Sequence, residues 1–250
     1  MKMKNYKLLL LGLAVLNLTP LLAQIDDDDI VYYTDSRVRN SRFGLALNLN
    51  PMYTDLRIIN DDVGLGGGGF DLNDENAQGS FQFNYHLDVS YDLSDNFQLS
   101  VGFGRASGGY ELSNVVVNLE SGDSLIADDE VSVSMYTVPI KINFSSSISD
   151  VFDLEVVPMV ELNFIDSYQA RFMPLDGVQP DFTLDFSDNA QSINYSVGIA
   201  LGGTYWFADR WGVFLRPSIK YMLNQMIDID DFPRETLINY GVNAGVRVRF

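Results

Sequence analysis

His86 is the only histidine in a chain of 250 residues, and Asp88 and Ser90 follow it at alternate positions. Histidine, carboxylate and hydroxyl are the groups of a nucleophilic hydrolase, in which a base takes the hydroxyl proton and a carboxylate orients the base. That chemistry needs the three groups turned towards one another beside donors for an oxyanion. Side chains at alternate positions of one extended strand instead stand side by side on one face, so His86 and Asp88 are read as members of a hydrogen-bond network. No cysteine is present, which removes thiolate metal sites, disulfides and a cysteine nucleophile. The aspartate run 26–29 and the group Asp228, Asp230 and Asp231 lack EF-hand spacing, and the glycine-rich run 64–69 lacks the Lys-Ser/Thr of a phosphate loop. The residues therefore point to no catalytic, cofactor or metal site, and to a non-enzymatic protein.

The elements carrying these residues are strands. Phe81, Phe83, Tyr85, Leu87, Val89 and Tyr91 alternate strictly with Gln82, Asn84, His86, Asp88 and Ser90, the period-two signature of a two-faced strand. The pattern recurs from Phe97, Tyr136, Phe152, Ile193, Trp211 and Ile238, and a less regular first strand spans about 43–58. Short polar turns follow the second, fourth and sixth strands. Long loops, at about 59–80, 108–130, 166–191 and 224–236, follow the others. This asymmetry is that of an outer-membrane barrel with short periplasmic turns. The expected fold is all-β: a closed, eight-stranded, antiparallel, up-and-down transmembrane β-barrel, with ten strands as the alternative. Pro139, Pro158 and Pro217 inside strands predict bulges. A change of apolar phase between Met135 and Tyr136 predicts another near Tyr136.

Lipid, rather than water, is the expected outer solvent. The polar faces are rich in Gly, Ser and Asn and fit a narrow lumen, whereas the aromatic faces would overfill one. Aromatic residues also gather at strand ends, Phe97, Phe144, Tyr205 and Trp211 at one level and Phe81, Tyr136, Phe164 and Tyr240 at the other, as interfacial girdles do. The polar faces then place ionisable groups inside: Asp88, Asp92, Asp153, Glu155 and Glu161 against Lys141, Arg216, Lys220, Arg247 and Arg249. Buried charges need partners. Strand heights put Glu161 near Lys220, and Arg247 and Arg249 near Asp153 and Asp92. A luminal network of His86, Asp88, Glu155, Glu161, Arg216, Lys220, Arg247 and Arg249 is expected to plug the barrel, with a narrow passive channel as the competing reading.

The N-terminus carries Lys2, Lys4 and Lys7, an apolar run at 8–16 and Ala23 before Gln24. These are the marks of a secretory signal peptide. The expected organisation is a signal peptide at 1–23, a flexible periplasmic lead-in at 24–41 and a barrel at 42–250. A net charge of −18 argues against nucleic acid as a partner. The four loops hold 20 of the 34 acidic residues. They are read as a solvated surface, with divalent cations bridging to lipopolysaccharide as the functional alternative.

The C-terminal stretch from Asn243 to Phe250 resembles the β-signal of outer-membrane proteins, with Asn243, Gly245, Val248 and Phe250 at the matching positions. That resemblance implies recognition by the barrel-assembly machinery. The segments Arg42-Phe-Gly-Leu-Ala-Leu-Asn-Leu-Asn-Pro51, Tyr136-Thr-Val-Pro-Ile-Lys-Ile142 and Val197-Gly-Ile-Ala-Leu-Gly-Gly203 resemble the PorT-like outer-membrane β-barrel proteins of Bacteroidetes. The resemblance implies barrel topology and an integral outer-membrane location only, since the family is functionally mixed and takes its name from a component associated with type IX secretion. The expected role, read from the residues, is that of a structural or partner-docking barrel without a cofactor, in contact with lipid and lipopolysaccharide.

Overall fold

The computed structural model describes residues 42–58, 77–118, 124–227 and 235–250. The segments expected to be a signal peptide and a lead-in, the glycine-rich run and Asp228, Asp230 and Asp231 lie outside the described residues. The strands in chain order are β1 Phe43–Ile58, β2 Ala77–Ser94, β3 Phe97–Asn118, β4 Ser124–Ser149, β5 Phe152–Pro174, β6 Phe182–Asp185, β7 Asn194–Trp206, β8 Trp211–Met222 and β9 Glu235–Arg249. All pairings are antiparallel. Eight strands close a ring, β1-β2-β3-β4-β5-β7-β8-β9 and back to β1, while β6 pairs only with the outer part of β5. The fold is therefore the eight-stranded up-and-down barrel, and closure leaves the membrane-spanning ladder without an edge whose N–H and C=O groups would face hydrocarbon.

The faces are sorted as a membrane requires over the part of the ring next to the short turns. Phe83 and Val197 are 56% and 38% exposed, whereas Asn84, Ser196 and Asn243 are 5%, 3% and 2% exposed. Apolar side chains face out and polar ones face in, the reverse of a water-soluble barrel. Register brings the aromatic residues level with one another: Phe97 opposes Phe144, Phe152 opposes Tyr205, Tyr136 opposes Phe164, and Tyr53 lies between Phe81 and Tyr240. The Phe97 and Phe144 rings meet edge to face at 4.8 Å.

Two loops expected from the sequence are largely strand. β3 and β4 remain paired as far as Asn118 and Ser124, where 108–130 reads as a loop, and β5 runs on to Pro174. The reason is an inversion of polarity along each strand. On β3, Ser100, Gly102 and Gly104 face in; further out Ala106, Tyr110 and Leu112 do. Outward positions change from Val101 and Phe103 to Arg105, Ser107 and Glu111. β4 does the same, with Val131, Val133 and Met135 inward on the external side and Lys141 and Asn143 inward below. The alternation of β4 is unbroken through Tyr136, so the apparent phase change there is a change of solvent. A bulge does lie at that level, but on β5: Ser134 pairs Ser167 while Met135 pairs Ile165, leaving Asp166 extra.

The prolines correct another expectation. Pairing lapses beside Pro139, Pro158 and Pro217 and resumes in the same register, as in Val101↔Ile140 followed by Gly104↔Thr137. A missing donor interrupts the ladder locally, and the extended backbone absorbs it without an inserted residue.

Candidate functional site

The inward faces build two stacked layers. The lower layer, inside the membrane-spanning ring, is polar and charged. Glu155 on β5 is its centre: it accepts from Arg216 Nε at 2.7 Å, Arg247 Nη1 at 2.8 Å and Asn143 Nδ2 at 3.0 Å. Above it Lys220 Nζ donates to both carboxylate oxygens of Glu161, at 3.1 and 3.2 Å. Lys141 Nζ donates to Asp88 Oδ2 at 2.7 Å and also contacts His86 Nε2, while Asn48 Nδ2 donates to Asp88 at 3.0 Å. Towards the short turns Asp153 accepts from Trp206 Nε1 at 2.7 Å and Ser147 Oγ at 2.6 Å, and Arg249 Nη2 lies 3.9 Å away.

All eight residues singled out from the sequence face this lumen, but their pairings differ in part from the expected ones. Glu161 and Lys220 meet. Arg247 pairs with Glu155 and not with Asp153, and Asp92 accepts from Gln98 Nε2 at 2.6 Å instead of from an arginine. Strand height alone does not fix these choices, because the strands are tilted and each side chain leans across the lumen. The contact of His86 with an ammonium has a chemical consequence. With Lys141 protonated, its ammonium can only donate, which makes Nε2 the acceptor and leaves the ring proton on Nδ1. In that arrangement Nε2 is occupied by Lys141 and is not placed to take a proton from a hydroxyl. Among the described residues no group of three or more His, Asp or Glu side chains is arranged to hold a metal ion.

Two aromatic side chains belong to this layer, and their contacts with the arginines were not anticipated. Phe214 lies beneath Arg216 and Arg247, with ring centroids 4.3 and 5.4 Å from the guanidinium carbons, and Trp206 lies 3.9 Å from that of Arg249. They hold the guanidinium planes by cation–π contact. The small residues opposite are the signal that marks them. A Cβ on Gly245 would fall 2.5 Å from the Phe214 ring, and one on Gly102 would fall 2.1 Å from Asp88 Oδ1. These glycines leave the wall bare where a large or charged side chain lies against it.

The upper layer is apolar. Tyr110, Val133, Tyr168, Phe172, Met226 and Leu237 are at most 2% exposed and belong to one hydrophobic cluster that spans β1, β3, β4, β5, β9 and the segment after β8. Phe182 of β6 and Phe186 pack against it, with Phe172 and Phe182 stacked at 5.1 Å. This layer is the core of a water-facing structure: outward on the same strands are Glu130, Ser132, Gln169 and Arg171. Arg171 pairs with Asp181 at 2.8 Å, and Arg105 with Asp166 at 3.2 Å.

A closed ring with a lipid-facing apolar belt, aromatic girdles and a polar lumen defines an integral β-barrel of the outer-membrane type. No family model matches the sequence, and no curated protein does. Among solved structures the chain is similar to Neisserial surface protein A, at 12% identity over 83% of this chain and 97% of that one, with a TM-score of 0.45. It is similar also to the outer membrane protein OprG of Pseudomonas aeruginosa (12% identity, 84% and 96% covered, TM-score 0.42) and to the outer membrane protease OmpT of Escherichia coli (8%, 89% and 99%, TM-score 0.41). At such identities a likeness is one of fold.

Proposed function

We propose that this is a non-enzymatic outer-membrane barrel whose lumen is stopped by its own side chains, so that its work is done by its surfaces: a structural or partner-docking membrane protein. The finer reading, a PorT-like protein of Bacteroidetes with a secretion-associated role, rests on the sequence resemblance in β1, β4 and β7. Insertion would use the C-terminal signal, of which Asn243 and Gly245 face the lumen and Val248 faces outward on β9, the strand that seals the ring against β1, with Phe250 exposed just beyond its end. Lipid and lipopolysaccharide are the partners of the belt, and an unidentified protein would be the partner of the water-facing strands.

The observation that supports a stopped lumen is its double occupancy. A bonded charge layer fills the membrane level, and an apolar core lies above it. Ion passage would have to break Glu155 away from two arginines and also wet the cluster around Tyr110 and Phe172, each an unfavourable step. Reconstitution into planar bilayers tests this. The expected result is no stable unitary conductance from folded, heat-modifiable protein. A reproducible, salt-dependent step would overturn the stopped barrel and establish the channel reading.

A further inference from the structure

Beyond the lipid the barrel wall is taller on one side. β3, β4 and β5 run on to Asn118, Ser124 and Pro174, whereas β7 and β8 stop at Asn194 and Met222. On β4 the outward positions pass through Ser134, Ser132, Glu130 and Asp128, and then reach Ile126. Val116 of β3 pairs with Ile126, and the Leu175 N–H donates to the Ile126 carbonyl at 3.0 Å. The three residues therefore stand in one row. Ile126 and Leu175 are 52% and 53% exposed, and Val178, in the turn that follows, is 85% exposed. That turn is held in shape: the Asp176 carboxylate accepts from the backbone N–H groups of Val178 and Gln179, and Gly177 takes a φ of 65°.

A bulge completes the row. Leu112 and Val115 are both buried although three positions apart, because β3 carries one residue more than β4 between them. Asn114, in that bulge, has a φ of 58°, in the left-handed region that asparagine tolerates. The extra residue sends Val115 into the core and leaves Val116 beside Ile126. Single exposed aliphatic residues are ordinary, but a contiguous row at the far end of a water-facing wall marks an interaction surface. Its surroundings are acidic. Glu111 and Glu130 oppose each other directly across β3 and β4, an unfavourable pairing of like charges. Asp128, Asp176 and Asp181 lie on the same strands or in the turn. Arg171 is the basic group among them, 2.8 Å from Asp181 and 3.9 Å from Glu130.

We infer that this tip docks a protein segment that presents aliphatic side chains flanked by lysine or arginine. The inference rests on the partner-docking reading of the barrel, and gives that partner a place and a chemistry. Aliphatic contact removes Ile126, Leu175 and Val178 from water. Basic flanks answer the carboxylates and relieve the repulsion between Glu111 and Glu130. A second copy of this chain would bring the same acidic rim and be repelled by it.

The chain has no native cysteine, so an environment-sensitive fluorophore on Gln179→Cys reports on the tip alone. The protein is placed in phosphatidylcholine nanodiscs and titrated with a synthetic peptide of alternating leucine and lysine, with empty nanodiscs as the blank. The label is expected to respond along a saturating curve, and the same label on Ser132→Cys, lower on the wall, is not. Peptides alternating leucine with glutamate, or serine with lysine, should bind at least tenfold more weakly. Ile126→Ser, at an exposed position, should raise the half-saturating leucine–lysine concentration about tenfold. Glu130→Gln should raise it less, by a factor that shrinks as salt is added. An absent or unsaturable response would overturn the site, as would equal binding of either control peptide or indifference to Ile126→Ser. A response that grows with protein concentration before peptide is added would assign the tip to a second copy instead. The conductance recording tests the stopped lumen and this titration tests only the tip, so failure of one is distinguishable from failure of the other.

Discussion

The lower and upper halves of the barrel wall are the same strands in opposite solvents. On β3, Val101 and Phe103 face lipid over a polar interior, and a few residues later Arg105 and Glu111 face water over an apolar one. The backbone does not change between them: pairing of β3 with β4 runs through the boundary, interrupted beside Pro139 but unshifted in register there. What changes is which face can be hydrated. Below the boundary, polar side chains go inside because hydrocarbon offers them no partner, and they must then satisfy one another. Above it the ordinary hydrophobic effect resumes and apolar residues leave water. Period-two alternation therefore specifies a strand but not which of its faces is inside, and the boundary is where the apolar face exchanges sides.

The contrast implies different sensitivities, the largest in the charge layer. Glu155→Ala leaves Arg216 and Arg247 buried without their shared carboxylate, and should destabilise the barrel by about 3–5 kcal/mol or prevent folding, measured by urea unfolding in micelles. Phe172→Ala removes an aromatic ring from the apolar layer and should cost about 3 kcal/mol. Its effect should be regional: protease should cut β4 and β5 beyond Met135 while the membrane ring keeps its heat-modifiable mobility. Global loss of the ring would show that the two layers form one cooperative unit.

The outer surfaces separate the halves next. Leu47→Arg, in the lipid belt of β1, should cost about 2–4 kcal/mol, whereas Ser132→Arg, equally outward on β4 but in water, should lie within about 0.5 kcal/mol of the parent. Equal costs would remove the boundary. The smallest effect is electrostatic and confined to the water-facing part. Hydrogen bonds from the Ser187 hydroxyl and backbone N–H hold the Asp185 carboxyl below its ordinary value of 3.8. A carboxyl lowered by folding contributes stability that is present above the unfolded value and lost as pH falls through the folded one. Amide exchange in the turn after β6 should therefore quicken only below about pH 4, with the membrane ring unaffected. Loosening at neutral pH would contradict that role for Asp185.

Much of the lower half was legible because strict alternation, short turns and aromatic ends all report on one slab of lipid. Phe81 to Tyr91 shows a strand with two unlike faces, and the short turns and aromatic ends then put His86 on the inward one. The upper half was hidden by its own consistency with water. Where Val131, Val133 and Met135 turn inward, the apolar period appears to slip against Tyr136 and Val138, and the stretch around them reads as a bulge and a polar loop. The charge partners were legible only as a set. That Arg247 reaches Glu155, and that Phe214 and Trp206 carry arginines on their faces, depends on strand tilt and on bare glycine walls such as Gly245, neither of which one strand's pattern contains.

The inversion can be measured directly, since the chain has no native cysteine. Nitroxides at Val101 and Glu111 of β3, and at Ile140 and Ser132 of β4, sample one outward face of each strand in reconstituted vesicles. Collisions with oxygen should dominate at Val101 and Ile140, and collisions with a water-soluble nickel chelate at Glu111 and Ser132. Finding the same environment at both positions of either strand would contradict a barrel whose wall passes from lipid to water without a break in its sheet.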